Sequence, residues 1–488
     1  MRKLTTLVMS VMVLCAMHVA AQQADAVKAA AASLGADRLK TLQFTASGAN
    51  FSVGQNFTPA EPWPRVTVKS YTASINFDTG SMRQELVREM GTTMPRGGGA
   101  PFTGEQRQVQ VVSGNFAWNV GAPAQPAAPA PGNAVERMLM LWATPQGFVK
   151  AAMANNATAK KAKGGTEVSF TVGGKYKMVG IINASNDVER VQTWIDQPIV
   201  GDMLVETVYS GYRDFGGVRF PSRIVQSQDG FPALDLTVAT VTANPAVDIS
   251  VPDNVRTAQP APVTVTSTKM ADGVFYLTGG SHHSLAIEMK DHIVLVDVPQ
   301  TEQRALAVIA KAKEVIPGKP VRFVVTSHHH WDHLGGIRTA IDEGATIVTH
   351  QSNKAFLQRV AKTPHTINPD RLSVSKKPLK IQTVGDMGRL TDGTRTIELH
   401  LLKNYEHTGD MLLVYLPKEK ILGEPDAFTP PATPTTPLVV TAVPYAAALY
   451  DNIKRLNLDV QTIVPFHGGR TGDVAELARL AGKTAAGD

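Results

Sequence analysis

The chain has 488 residues, 43% of them hydrophobic, with 48 basic and 42 acidic side chains, a formal charge of +6 and a single cysteine. That length predicts two or three domains, and one cysteine excludes a disulfide-stapled scaffold and a thiolate-rich metal site. The small positive charge, with no long Lys/Arg run interleaved with aromatics, argues against a nucleic-acid substrate.

At the amino terminus Arg2 and Lys3 precede an apolar stretch over residues 4–17 and the small-residue sequence Val19-Ala20-Ala21. This order predicts a secretory signal peptide over residues 1–21, cut after Ala21, and a periplasmic or secreted protein. The stretch is short for a bilayer, and no later segment reaches about 18 apolar residues, so no transmembrane segment is expected. Cleavage would remove Cys15, leaving a cysteine-free chain, and would lower the formal charge to +4 by deleting Arg2 and Lys3. Leu14 before Cys15 disfavours a lipid anchor. Stability must then come from core burial rather than disulfides.

Residues 22–257 open with an Ala-rich helical segment at 24–39 and continue as short alternating stretches, among them 65–69, 74–77, 167–172, 188–195, 204–212 and 234–241. Period-two alternation broken by Gly, Pro and Asn-Asp predicts an antiparallel sheet with one wet face. Helical material at 134–155 is expected to pack on the other. Lys160, Lys161 and Lys163 read as a solvated helix end, and residues 121–132 as an Ala/Pro-rich loop. The turn Asp214–Ser222, the strand pair after it and Val251-Pro252 are similar to the half-open β-barrel of periplasmic lipoprotein carriers. That resemblance implies either a lipid-binding sheet or a platform shaping a neighbouring groove. Residues 252–262, with three prolines, read as an interdomain linker.

Residues 258–488 form the second predicted unit, an α/β domain. Residues 321–326 are apolar and β-branched, as in a buried strand, and run into His328-His329-His330-Trp331-Asp332-His333. Gly335-Gly336 and a helical start at 337–341 follow. Three histidines at these positions, with an aspartate, place four metal-compatible groups in a strand-to-helix loop. In extended geometry His328 and His330 project to one side, while Asp332 and His333 lie past a turn. Imidazole suits zinc and other first-row metals, and carboxylate suits harder ions. His407, Asp426 and His467 stand in three later strand-end contexts.

With these residues the region 263–482 resembles the metallo-β-lactamase-fold hydrolase superfamily, through His-x-His-x-Asp-His, His407 before Thr408, Asp426 after a strand, and Pro465-Phe466-His467-Gly468. The resemblance implies a four-layer αβ/βα sandwich and two divalent metal ions, zinc first, with iron or manganese tolerated. It places His328, His330 and His407 on one ion, Asp332, His333 and His467 on the other, and Asp426 between them. Two such ions would bring the pKa of a water from about 15.7 towards about 7, with Asp332 as the catalytic residue that orients it and shuttles its proton. Asp297 would support the metal loop, His329 would point away, and His282 and His283 would border the substrate groove. Pro425 replaces the usual Gly before Asp426 and makes Glu424 a competing ligand. Phe466 and Glu406 also stand where Gly is frequent. His350, His365 and His400 read as ordinary polar or core positions.

An aspartate between the metals resembles the glyoxalase-II and lactonase branches more than a cysteine-using lactamase. The expected function is an exported dinuclear hydrolase of a small ester, lactone, thioester or amide. The alternatives are a lipid- or ligand-binding periplasmic protein with a structural metal domain, and oxygen or nitric oxide reduction at a di-iron site. His330 stands where a glutamate is common in the latter. The Pro/Thr-rich stretch 429–437 is a candidate lid.

Overall fold

The computed structural model describes residues 26–90, 96–99, 101–122, 125–433 and 436–483. The predicted signal peptide lies outside them. Residues 26–33 are helical, as the Ala-rich composition suggested, and a 3₁₀ turn at Ala36–Arg38 delivers the chain to its first strand.

The amino-terminal region builds one antiparallel sheet of thirteen strands among the described residues. Its first strand, Thr41–Phe51, pairs with its last, Phe231–Ala243. From that central pair the sheet runs outward as two meanders, to Ala128–Pro129 on one side and Thr158–Ala162 on the other. Local hairpins account for most of this order, because two-residue alternation turned back by Gly or Asn-Asp pairs neighbours in sequence. The helices Ala134–Ala143 and Pro145–Ala154 pack Leu139, Leu141, Phe148 and Val149 onto one face.

One expectation is corrected here. Lys160 and Lys161 lie on the edge strand Thr158–Ala162 and not on a helix end. A hairpin at Gly164, which sits at φ +92°, returns the chain so that Lys160 meets Glu167 across the ladder at 2.9 Å. The Pro-rich 252–262 stretch also contains one helical turn, Asp253–Arg256, whose Val255 is buried against the Val109–Trp118 cluster.

The carboxy-terminal region is a four-layer α/β/β/α sandwich. A seven-stranded sheet runs from Thr266–Ala271 to Lys380–Val384, its last four strands parallel, and a five-stranded sheet runs from Met387–Thr391 to Thr462–Pro465. Val294, Val296, Val325, Leu399, Leu412, Val414 and Phe466 fill the space between the sheets. The helices Glu302–Val315 and Ile337–Glu343 cover the outside of the first sheet, and Val443–Arg455 and Val474–Leu480 the outside of the second. Strands buried on both faces read as continuous apolar runs, which is why 293–296 and 412–416 have no alternation.

The two regions share one hydrophobic cluster, in which Ile199, Val200 and Met203 continue into Phe356, Leu357 and Val360. Polar contacts reinforce it: Asp202 accepts from the backbone N–H groups of Thr366 and Ile367, and Arg359 grips Asp229 with both distances 2.9 Å. A largely buried ion pair, Arg338 with Asp370, ties the helix Ile337–Glu343 to the amino-terminal cap of the short helix Arg371–Ser375. Burial by itself would raise Asp370, but hydrogen bonds from Arg338 and Ser373 override it and bring the carboxyl down to about 2. A depressed pKa means stability that is present above the unfolded value, about 4, and lost as pH falls through about 2. Asp370→Asn should therefore cost about 3 kcal/mol at neutral pH. Denaturant midpoints for the two proteins should converge below about pH 4; an equal gap at pH 7 and pH 2 would refute the assignment.

Candidate metal centre

The site lies where both sheets end on the same side. The strand Val321–Val325 runs into His328 and His330, and a helical turn at Trp331–Leu334 carries Asp332 and His333. The strand Thr396–Leu401 precedes the loop bearing His407, Ile421–Glu424 precedes Asp426, and Thr462–Pro465 precedes His467. All seven expected ligands come together. His328, His330 and His407 form one group of ligand atoms within 4.8 Å of one another, and Asp332, His333 and His467 fall in a second with His282. Asp426 forms a third with His328 and His333.

Asp426 stands between the groups. Its Oδ2 is 3.4 Å from His328 Nε2, 3.2 Å from His333 Nε2 and 3.5 Å from His407 Nε2, while Oδ1 is 3.0 Å from His467 Nε2. Burial opposes its ionisation, yet the surrounding imidazoles, His333 foremost, hold the carboxyl well below its ordinary range. Glu424, the competing ligand, is turned away. Its Oε2 caps the backbone N–H groups of Ala427 and Phe428 at 2.7 and 3.1 Å, and burial pushes the carboxyl well above its usual value. Pro425 thus ends the strand so that the next side chain, not the preceding one, faces the histidines.

Hydrogen bonds fix which nitrogen His328, His330 and His333 present. Ser327 Oγ donates to Asp297 Oδ2 at 2.6 Å and so accepts from His328 Nδ1 at 3.1 Å, leaving His328 Nε2 free. His333 Nδ1 donates to the same Asp297 oxygen at 2.9 Å, which leaves its Nε2 facing Asp426. His330 Nε2 donates to the Asn56 carbonyl at 2.9 Å, leaving Nδ1. His328 Nε2, His330 Nδ1, both His407 nitrogens and Asp426 Oδ2 are buried with no hydrogen-bond partner. Buried polar atoms are normally satisfied. His328 Nε2, His330 Nδ1 and one His407 nitrogen, unpartnered and close together, fit a divalent ion. Burial, then neighbouring imidazoles, also pushes His328 and His330 well below their ordinary range, towards the neutral form a metal requires.

The surroundings match some expectations and refine others. Asp297, at φ +57° and fully buried, accepts from Ser327 N at 2.7 Å and supports the metal loop through Ser327 and His333. His329 points away from the site, its two nitrogens facing Asp410 and Asn56 Oδ1. The two groove histidines part company. His283 anchors the Gly468 carbonyl at 2.5 Å, outside the ligand groups. His282 instead reaches in, with Nε2 3.2 Å from Asp332 Oδ2 and its ring 4.1 Å from that of His467. Its proximity to the ligands was missed, because a loop three strands upstream has no spacing that ties it to the metal motif. Asp332 accepts from His282 and, from the amino-terminal region, from Gln55 Nε2 at 2.9 Å. Burial would raise this carboxyl, but the His282 hydrogen bond and the His333 charge hold it far below the usual value. A cleft of about 680 Å³ opens over the cluster, lined by Gln55, Gly280, Ser281, Thr429 and Gly468 around the ligands. Thr429, the first residue of the candidate lid, is thus on its wall.

Residues 277–467 match the model of the metallo-beta-lactamase superfamily. Similar solved structures include a metallo-beta-lactamase from Pontibacter korlensis, at 20% identity over 45% of this chain and 98% of that one, with a TM-score of 0.36. Another is the DIM-1 metallo-beta-lactamase, at 22% identity over 45% and 96%, with a TM-score of 0.35. No match is found among curated proteins. Sheet order, ligand order and family match agree: the carboxy-terminal part of this chain is a metallo-beta-lactamase-superfamily domain, of a family of metal-dependent hydrolases.

Proposed function

We propose that the protein is an exported hydrolase that holds two divalent ions and uses water to cleave a small ester, lactone, thioester or amide. The observation that carries this is the pair of ligand groups with Asp426 between them. His328, His330 and His407 would hold one ion, and Asp332, His333 and His467 the other. Bound there, such a pair supplies Lewis acidity that makes water a competent nucleophile near neutral pH and polarises the reacting oxygen of the substrate. Zinc fits the histidine-rich set first, with iron or manganese compatible.

The chain's own residues do the rest. Asp332, ionised and pinned by two donors, accepts a hydrogen bond from the attacking water and orients it. A carboxyl held so low takes a proton only in transit, so Asp332 relays it to the leaving group rather than storing it. The second reading, a ligand carrier with a structural metal, is favoured by a cavity of about 250 Å³ in the amino-terminal sheet, lined by Phe44, Tyr71, Met82, Met140 and Phe220. An open cleft over the ligands supports catalysis instead, because structural sites are closed.

One set of measurements decides. Protein recovered from the exported fraction should have the mass of a chain starting at Gln22 and carry two divalent ions. It should turn over at least one member of a chromogenic ester, lactone, thioester and amide panel. Asp332→Ala should lower kcat by about 10²-fold or more with folding retained. Undiminished turnover in that variant would refute the mechanism, and two bound metals without any turnover would favour the carrier.

A further inference from the structure

The segment between the strands Thr41–Phe51 and Arg65–Asn76 leaves the amino-terminal sheet and lies against the metal loops. Four consecutive residues make contact. Gly54 O accepts from Trp331 N at 3.2 Å, Gln55 Nε2 donates to Asp332 Oδ1 at 2.9 Å, Asn56 O accepts from His330 Nε2 at 2.9 Å, and Phe57 O accepts from Gly409 N at 2.9 Å. Asn56 is also held by its own side chain, which donates to Glu61 O at 3.0 Å and presents Oδ1 to His329.

The chemistry of two of these bonds is directional. Gln55 occupies Asp332 Oδ1, so Oδ2 is the oxygen left on the side of His282, His333 and His467. The Asn56 carbonyl occupies His330 Nε2, so Nδ1 is left to face His328 and His407. One ligand in each group therefore has its presenting atom selected by the amino-terminal region. The fit is close. Gly54 is at φ +75°, and a Cβ there would come within 2.5 Å of the Trp331 ring. Trp63 packs edge-on to that ring at 5.6 Å.

We propose that residues 54–57 form a positioning clamp supplied by the amino-terminal domain, with Gln55 the positioning residue for Asp332 and the Asn56 carbonyl for His330. The amino-terminal domain is then a working part of the metal centre and not only a neighbouring platform. This rests on the two-metal reading above. Groups that orient metal ligands in this way are worth about 10- to 100-fold in metal affinity.

The test is metal affinity, by competition with a chromogenic chelator using zinc alone, on the full chain. Gln55→Ala should weaken one of two zinc ions by about 10- to 100-fold and leave the other unchanged. Gln55→Glu, which sets a second carboxylate against Asp332, should weaken it at least as much. Gly54→Ala should weaken both. Unfolding of the metal-free Gln55 variants should match wild type, separating positioning from folding. Two zinc ions bound by Gln55→Ala with wild-type affinity would overturn the clamp alone. A wild type that binds no zinc would overturn the functional reading and the clamp with it.

Discussion

Asp426→Asn is expected to lower kcat/KM by about 10⁴-fold or more, on the order of 5 kcal/mol of lost transition-state stabilisation, and to reduce bound metal from two ions to one at most. The reason is geometric. Among the described residues Asp426 is the carboxylate whose oxygens approach His328, His333, His407 and His467 together. Asn keeps the size but replaces one acceptor by an N–H donor that no cation tolerates. It also removes the negative charge that would offset two cations held by the proposed ligand groups. Turnover on the substrate found in the panel, with metal content by elemental analysis, checks this. Two retained ions with near wild-type turnover would show that Asp426 does not lie between them, and Glu424 would have to be reconsidered despite its turn-capping hydrogen bonds.

The second large effect is expected at a residue outside the ligand groups. Asp297→Asn should weaken metal binding by about 10- to 100-fold and lower stability by about 1–3 kcal/mol. Its two carboxylate oxygens serve Ser327 N, Ser327 Oγ and His333 Nδ1, and through Ser327 also His328. An amide has one acceptor oxygen for these donors, so at least one buried N–H or O–H is left facing another donor. Asn is the appropriate replacement because it tolerates the left-handed backbone at this position, which isolates the lost charge from backbone strain. Chelator competition and denaturant unfolding of the metal-free protein report the two effects separately. A variant with unchanged affinity would mean that Asp297 packs the loop without orienting its histidines.

Much of this site was legible from residues that are close in sequence. His328, His330, Asp332 and His333 occupy one strand-to-helix loop, and local geometry dictates which way each can point. His407, Asp426 and His467 could be found because each follows a short apolar run, and strand ends of such a sandwich converge on one edge. The four-layer fold of residues 263–482 was implied by the family resemblance that these motifs carry, rather than by the runs themselves. The Lys160–Lys163 stretch misled because lysine spacing on a two-sided polar edge strand has no apolar face to reveal its period. The split between His282 and His283 was equally hidden: adjacent residues in a loop point apart only once the loop is packed.

The amino-acid sequence by itself thus determined the candidate ligand residues and the β-rich region before them, and through its family resemblance the sandwich that carries them. The β-rich region is encoded in short-range periodicity, and the candidate ligands in motif chemistry that does not depend on distant partners. Only the tertiary structure decided that Asp426 and not Glu424 faces the histidines, which nitrogen His328, His330 and His333 present, and that Gln55 and Asn56 reach the site from the amino-terminal region. Those outcomes depend on hydrogen bonds between residues far apart in the chain, more than 270 positions for Gln55 and Asp332. Such pairings leave no local pattern, because they are set by how sheets from distant parts of the chain pack against each other.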